Sequence, residues 1–189
     1  MNDQLKAEVL QLIEDCKTNN RKAQHRLFKF YFSSMFNVCM RYARDSEEAQ
    51  DMLNEGFLKI FSNLDKYENS GSFEAWMKRV MINSALDYQR KYKTLVETVN
   101  YEAVPESILN VYDENNAISK ISSDELMQLI QKLPPMSKNV FNLYLFENYS
   151  HAEIAKLLNI KEGTSHWHLN FAKNKLKEEI INFYKDGSF

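Results

Sequence analysis

The chain has 189 residues, enough for one medium domain or two small ones, and is 44% hydrophobic and 13% aromatic. Only 4 Gly and 3 Pro are present, which argues against a turn-rich sheet fold and favours long helices with few connections. The net charge of −2 conceals a segregation: residues 1–93 hold 15 basic against 13 acidic side chains, residues 94–124 hold 1 against 6, and residues 125–189 hold 8 against 7, so total charge says little about partners.

The first helical pattern runs from about Asp3 to Thr18 and ends at Thr18-Asn19-Asn20. Its charged start lacks the apolar run of a signal peptide, and no stretch approaches the roughly 20 apolar residues of a membrane span. A cytoplasmic location is therefore expected. A second helix, from about Arg21 to Arg44, is rich in aromatics (Phe28, Phe30, Tyr31, Phe32, Phe36, Tyr42). Cys16 and Cys39 lie in these apolar patterns and are expected to be reduced, partly buried thiols.

Ser46 before Glu47 and Glu48 predicts the N-cap of a third helix, ending near Leu64. Ala49, Leu53, Phe57, Ile60 and Leu64 form its core stripe, and Asp51, Glu55 and Leu58 its outer face. That face reads most simply as solvated surface, but it also suits docking onto a basic helical partner. Gly56 in mid-helix costs about 1 kcal/mol against Ala, which close approach of another helix would explain. The following loop, Lys66–Ser72, has the aromatic and polar composition that can receive an unstacked base. A fourth helix, Phe73–Lys93, is predicted to bury Phe73, Met77, Val80, Ser84 and Tyr88, with Trp76 at the margin. Arg79, Asn83 and Arg90 line a separate stripe, suited either to plain solvation or to tracking a phosphate backbone.

Residues 94–124 lose the helical period and read as an acidic linker. Helical patterning resumes at Asp124, breaks at Pro134-Pro135, and resumes with Ser137 as cap of a helix to about Glu147. Two further helices, Ser150–Leu158 and Glu162–Phe183, carry helix-turn-helix grammar. Ala155 is small at the crossing, Ile154, Leu157 and Leu158 face inward, Asn159 suits a left-handed turn, and Ile160 fills the corner. Wound at about 100° per residue, the last helix puts Ser165, Leu169, Ala172 and Leu176 on its core face. Trp167, Asn170, Phe171 and Asn174 fall opposite, with His168, Lys173 and Lys175 on the flanks. Exposed rings at i and i+4 need an outside partner, and a major groove supplies one better than packing on another protein surface.

The expected architecture is all-α: an N-terminal helical bundle over residues 1–93 and a C-terminal helix-turn-helix bundle over residues 125–189, joined by the 94–124 linker. No acid, base, nucleophile or metal cluster converges in the sequence. His166 and His168 point about 160° apart on a helix and cannot share a metal. No enzyme activity, catalytic residue, metal or cofactor is expected.

Taken together, four segments resemble the extracytoplasmic-function (ECF) sigma factors, specificity subunits of bacterial RNA polymerase. They are Ala49–Ile60, Phe73–Asn83 continuing through Ala85–Arg90, Leu133-Pro134-Pro135 with Val140-Phe141, and Tyr149–Ala155 with Glu162-Gly163-Thr164. The resemblance implies that Asp51, Leu53, Glu55, Phe57 and Leu58 belong to a core-polymerase docking helix. It implies a −10 reader containing Lys66, Tyr67, Asn69, Arg79, Asn83, Asp87 and Arg90. It places His166, Trp167, Asn170, Phe171 and Lys173 in a −35 recognition helix. Core polymerase and promoter DNA are the implied partners, with an anti-sigma factor as a further partner to test. Where the family commonly carries arginines, this chain has His166 and Phe171. Two other readings exist: a helix-turn-helix transcriptional regulator with a helical sensing domain, and a helical protein-interaction module. A second DNA surface on the Trp76 helix argues against the first, and binding to core polymerase without any promoter preference would favour the second.

Overall fold

The structure, a computed structural model, describes residues 3–68, 71–93 and 122–185. The described residues form α-helices and one 3₁₀ turn, without strands. The chain divides into two compact units at Thr94/Leu95. Asn69 and the linker from Thr94 to Ile121 lie outside the described residues.

The first unit contains α1 (Asp3–Lys17), α2 (Arg21–Tyr42), α3 (Ser46–Ser62), a 3₁₀ turn (Leu64–Lys66) and α4 (Phe73–Lys93). Asn20 caps α2, its side chain accepting from the backbone of Lys22 and Ala23. At α3 the cap is Asp45 rather than Ser46: its carboxylate accepts from the Glu48 amide, and Ser46 becomes the first helical residue. α2, α3 and α4 pack on one another around Leu27, Met35, Met52, Leu53, Ile60, Met77 and Met81, all fully buried.

The whole predicted α3 core stripe is buried. In α4, Phe73, Met77 and Ser84 are buried as expected, but Val80 and Tyr88 are only half-buried. Met81, Ile82, Ala85 and Leu86 fill that side of the core instead. Gly56 explains itself: a Cβ there would overlap the Met81 thioether, so the missing side chain lets α4 approach α3. Cys16 and Cys39 are free, buried thiols, pushed up by burial to about 11 and about 12 respectively.

The second unit contains α5 (Ser123–Gln131), α6 (Pro135–Leu145), α7 (His151–Leu158) and α8 (Glu162–Lys185). Ser122 and Glu125 form a reciprocal capping box, so α5 begins just before Asp124. α6 starts at Pro135 with Pro134 as its cap, because proline is pre-shaped for a first helical turn. Ser137 is thus not a cap; it lies inside α6, buried, in a hydrogen bond with His168. Ser150 and Glu153 form a second capping box at α7. Asn159 ends α7 at φ 55° and ψ 50°, the left-handed conformation its side chain tolerates better than most. α8 packs on α6 and α7 through Leu169, Ala172 and Leu176.

Candidate nucleic-acid interface

Two surfaces, one per unit, gather the functional candidates. On α4, Arg79, Asn83, Asp87 and Arg90 are all exposed and follow one another at helical spacing. Asp87 is engaged within the unit, 2.9 Å from Lys59 Nζ and 3.6 Å from Arg90 Nη1. The basic character of the stripe is therefore concentrated toward Arg79.

At the N-terminal end of α4 the loop folds inward. Tyr67 is buried, donates its hydroxyl to the Gly71 carbonyl at 2.8 Å, and meets Phe73 and Trp76 at ring distances of 5.0 and 5.6 Å. Its ring thus builds the wall of the loop and is not a free stacking platform. Gly71, at φ 111°, makes the turn that only glycine adopts readily. The resulting open cavity, about 240 Å³, lies between Lys66, Glu68, Gly71, Ser72, Trp76 and Arg79. The sequence reading assigned Trp76 to the core margin; its ring stacks on Phe73 and also lines this cavity. Only the short spacing Trp76–Arg79, which puts both on one side of α4, could have signalled it.

The candidates on α3 fall into two sets. Leu58 is 68% exposed and Asp51 is exposed, while Glu55 is half-buried. Leu53 and Phe57 are fully or almost fully buried, and Phe57 meets Phe28 at 4.6 Å. These two hold the helix in place and offer no surface to a partner. Asp51 accepts from the Tyr88 hydroxyl at 3.3 Å, and Glu55 lies 4.0 Å from Lys91 Nζ. Burial, reinforced by Asp51's charge, pushes the Tyr88 phenol up to about 12. The acidic face of α3 is thereby joined to the side of α4.

In the second unit α8 presents Trp167, Asn170 and Asn174 to solvent, with Phe171 half-buried beside them. The Trp167 and Phe171 rings stack at 5.3 Å, 20° from parallel. Lys173 is exposed on the flank, its ammonium 5.8 Å above the Tyr144 ring. His166 is exposed but turned back, its ring 3.6 Å from that of His151, which in turn stacks on Tyr144 at 4.7 Å. His151 Nδ1 is hydrogen-bonded to Ser165 Oγ at 2.8 Å. Burial, with the neighbouring His166 adding to it, lowers the His151 pKa below its ordinary value. His168, expected on the flank, is instead buried with its Nδ1 2.9 Å from Ser137 Oγ. A polar partner on α6 makes that burial tolerable, and burial lowers its pKa too. The positioning role of His151 is a second feature that sequence reading missed, because its partners come from α6 and α8.

Among the described residues no group of His, Cys, Asp or Glu could hold a metal ion, and no helix is long and apolar enough to cross a membrane.

Comparison with known proteins matches a segment in each unit. Sigma-70 region 2 matches residues 27–94, which contain α3, the loop and α4. Sigma-70, region 4 matches residues 123–176, which contain the helix-turn-helix. The chain is 25% identical over 179 residues to the ECF RNA polymerase sigma factor SigW of Bacillus subtilis (strain 168), covering 89% of this chain and 94% of that protein. It is 28% identical over 158 residues to the RNA polymerase sigma-E factor of Streptomyces coelicolor, covering 82% and 86%. In fold it is similar to the sigma factor RpoE solved with the anti-sigma factor NepR from Bartonella quintana. That likeness has a TM-score of 0.50 at 14% identity, covering 84% of this chain and 96% of that one. With both regions present in order, and with relatives matched along nearly their whole length, the chain belongs to the ECF sigma factors of bacterial RNA polymerase.

Proposed function

We propose that the two surfaces divide promoter recognition between them, and that the chain acts in the cytoplasm without chemistry of its own. Residues 1–93 form the unit that docks on core polymerase and reads the −10 element; residues 125–189 form the unit that reads the −35 element. Residues 94–124 are the acidic connection between them. Asp51, Glu55 and Leu58 present the docking face of α3, with Leu53 and Phe57 supporting it from the core. Arg79, Asn83, Asp87 and Arg90, with the cavity walled by Lys66, Tyr67 and Trp76, engage the melted −10 strand; Asn69 is assigned there from sequence alone. Trp167, Asn170 and Phe171 face the −35 duplex, with His166 and Lys173 at the flank.

One observation carries this reading: a cavity of about 240 Å³, open to solvent, adjoins the exposed Arg79 at the head of an Arg/Asn stripe. A cavity of that kind can take a base out of its stack while guanidinium and amide groups hold the adjoining backbone. Duplex reading by α8 needs no such cavity, so the two units are suited to different forms of DNA. The reading extends to an anti-sigma factor, the partner present in the Bartonella quintana complex.

The test is run-off transcription with purified core polymerase on a genomic template library. Enriched start sites sharing two spaced upstream elements are expected. Transcription without shared elements would reduce the chain to a polymerase-binding module. Binding to duplex DNA with no effect on polymerase would favour the helix-turn-helix regulator.

A further inference from the structure

α8 presents an unusual pair for a helix entering DNA: two aromatic rings stacked on each other, Trp167 37% exposed and Phe171 half-buried beside it. Four residues before Trp167, on the same face, stands Gly163, and a Cβ added there would meet nothing within 4 Å. Gly163 is the second residue of α8, and among the described residues no neighbour occupies the space a side chain there would fill. Bare backbone at Gly163 followed by a flat apolar surface makes a shelf on the solvent side of the first two turns. Asn170 adds an amide beside it, and Lys161 and Lys173 are exposed cations on the same helix or at its start.

Indole and phenyl rings offer a base edge almost nothing polar; the indole N–H is their one donor. Arginine reads guanine through O6 and N7, which this pair cannot do. The single apolar group on the major-groove edge of a base pair is the thymine C5 methyl. The cations on the helix argue for a nucleic-acid occupant over a protein one, since they match phosphates on either side of a groove. We propose that the stacked Trp167–Phe171 pair is a specificity determinant that reads thymine methyl groups in the upstream duplex element. This rests on the assignment of α8 to that element. It commits the element to one or two thymines whose methyls face α8, with Asn170 making the neighbouring hydrogen-bonded contact.

The experiment uses the chain bound to purified core polymerase. Duplexes are selected from a randomised upstream region, and the enriched sequence is resynthesised with deoxyuridine replacing thymine one position at a time. That change removes the methyl and leaves the hydrogen-bonding pattern of the base intact. Burial of one methyl-sized group predicts about a fourfold loss of affinity at each contacted position. In the Trp167→Ala/Phe171→Ala double variant the same replacement should have no effect. Methyl loss that matters nowhere in the enriched element, or that matters equally in the variant, overturns the proposal while leaving duplex reading by α8 intact. Enrichment of no upstream element removes both. A variant that keeps wild-type helix content but no longer binds core polymerase assigns the rings to a protein contact, which also overturns it. The deoxyuridine series on the wild-type chain does not depend on the variant folding.

Discussion

His151 and His168 are each buried beside a serine hydroxyl where α8 packs on α6 and α7. Their folded-state pKa values lie below the ordinary 6.5, because burial penalises the imidazolium. His166 and Lys173 lower that of His151 further, and Glu162 opposes them. Below pH 6.5 the unfolded chain therefore binds more protons than the folded one, and stability falls as pH falls. Each ring contributes at most about 1.4 kcal/mol per pH unit, and the loss stops once pH passes the depressed folded values. Thermal melting between pH 7.5 and 5.5 should show the second unit losing Tm, and His151→Gln/His168→Gln should flatten the slope. An unchanged slope in that variant would assign the pH dependence to other groups. None of this was legible from residue type: winding puts His168 on a flank, and the Ser137 hydroxyl that bonds it in the interior comes from α6. Asn159 and Ser165 were legible, because each is fixed by local turn geometry or by the period of its own helix.

The contact between α3 and α4 shows how far helical period carries and where it stops. Every position that period assigned to the α3 core is buried, though it passed over the fully buried Met52, and the misfit of Gly56 correctly announced a neighbouring helix. It could not say that Met81 is the neighbour. Gly56→Ala should destabilise the first unit by roughly 1–2 kcal/mol, overpacking outweighing the gain in helix propensity. Combined with Met81→Ala, the loss should be smaller than the sum of the single losses, a coupling that denaturant melts would measure. Period also separates Asp51, Glu55 and Leu58 from Leu53 and Phe57, which a linear motif lists together. Asp51→Arg/Glu55→Arg breaks only exposed or half-exposed links to Tyr88 and Lys91, worth about 1 kcal/mol or less. Helix content should survive by circular dichroism while co-purification with core polymerase is lost. Retained binding would remove this face from the interface. Helix starts were less legible than faces, since Asp45 and Ser46 are both good caps and Pro134-Pro135 can break a helix or begin one.

At the scale of the whole molecule, each unit carries its own core and its own proposed recognition surface, so a change in one surface should leave the other working. On α8 the exposed side chains sit on a regular helix braced by two Ser–His bonds, a rigid shape suited to a duplex groove. On α4 the stripe ends at a cavity whose wall is built from Tyr67 and Trp76, a shape suited to a single unstacked base. Asn170→Ala should therefore weaken selection of the upstream duplex by roughly 1–3 kcal/mol, if the amide makes a bidentate base contact. It should leave strand opening on a bound promoter unchanged. Arg79→Ala/Asn83→Ala should do the converse: closed-complex binding stays near wild type, and permanganate-reactive thymines near the start site disappear. Arg79 and Asn83 are both exposed, so their removal should cost the fold little, and loss of opening could not be charged to unfolding. If the α4 variant instead lost duplex binding and still melted promoters, the assignment of single-stranded DNA to the first unit would fall. The cavity beside Arg79 would then be a feature of loop packing alone, and promoter recognition would have to be rebuilt around α8.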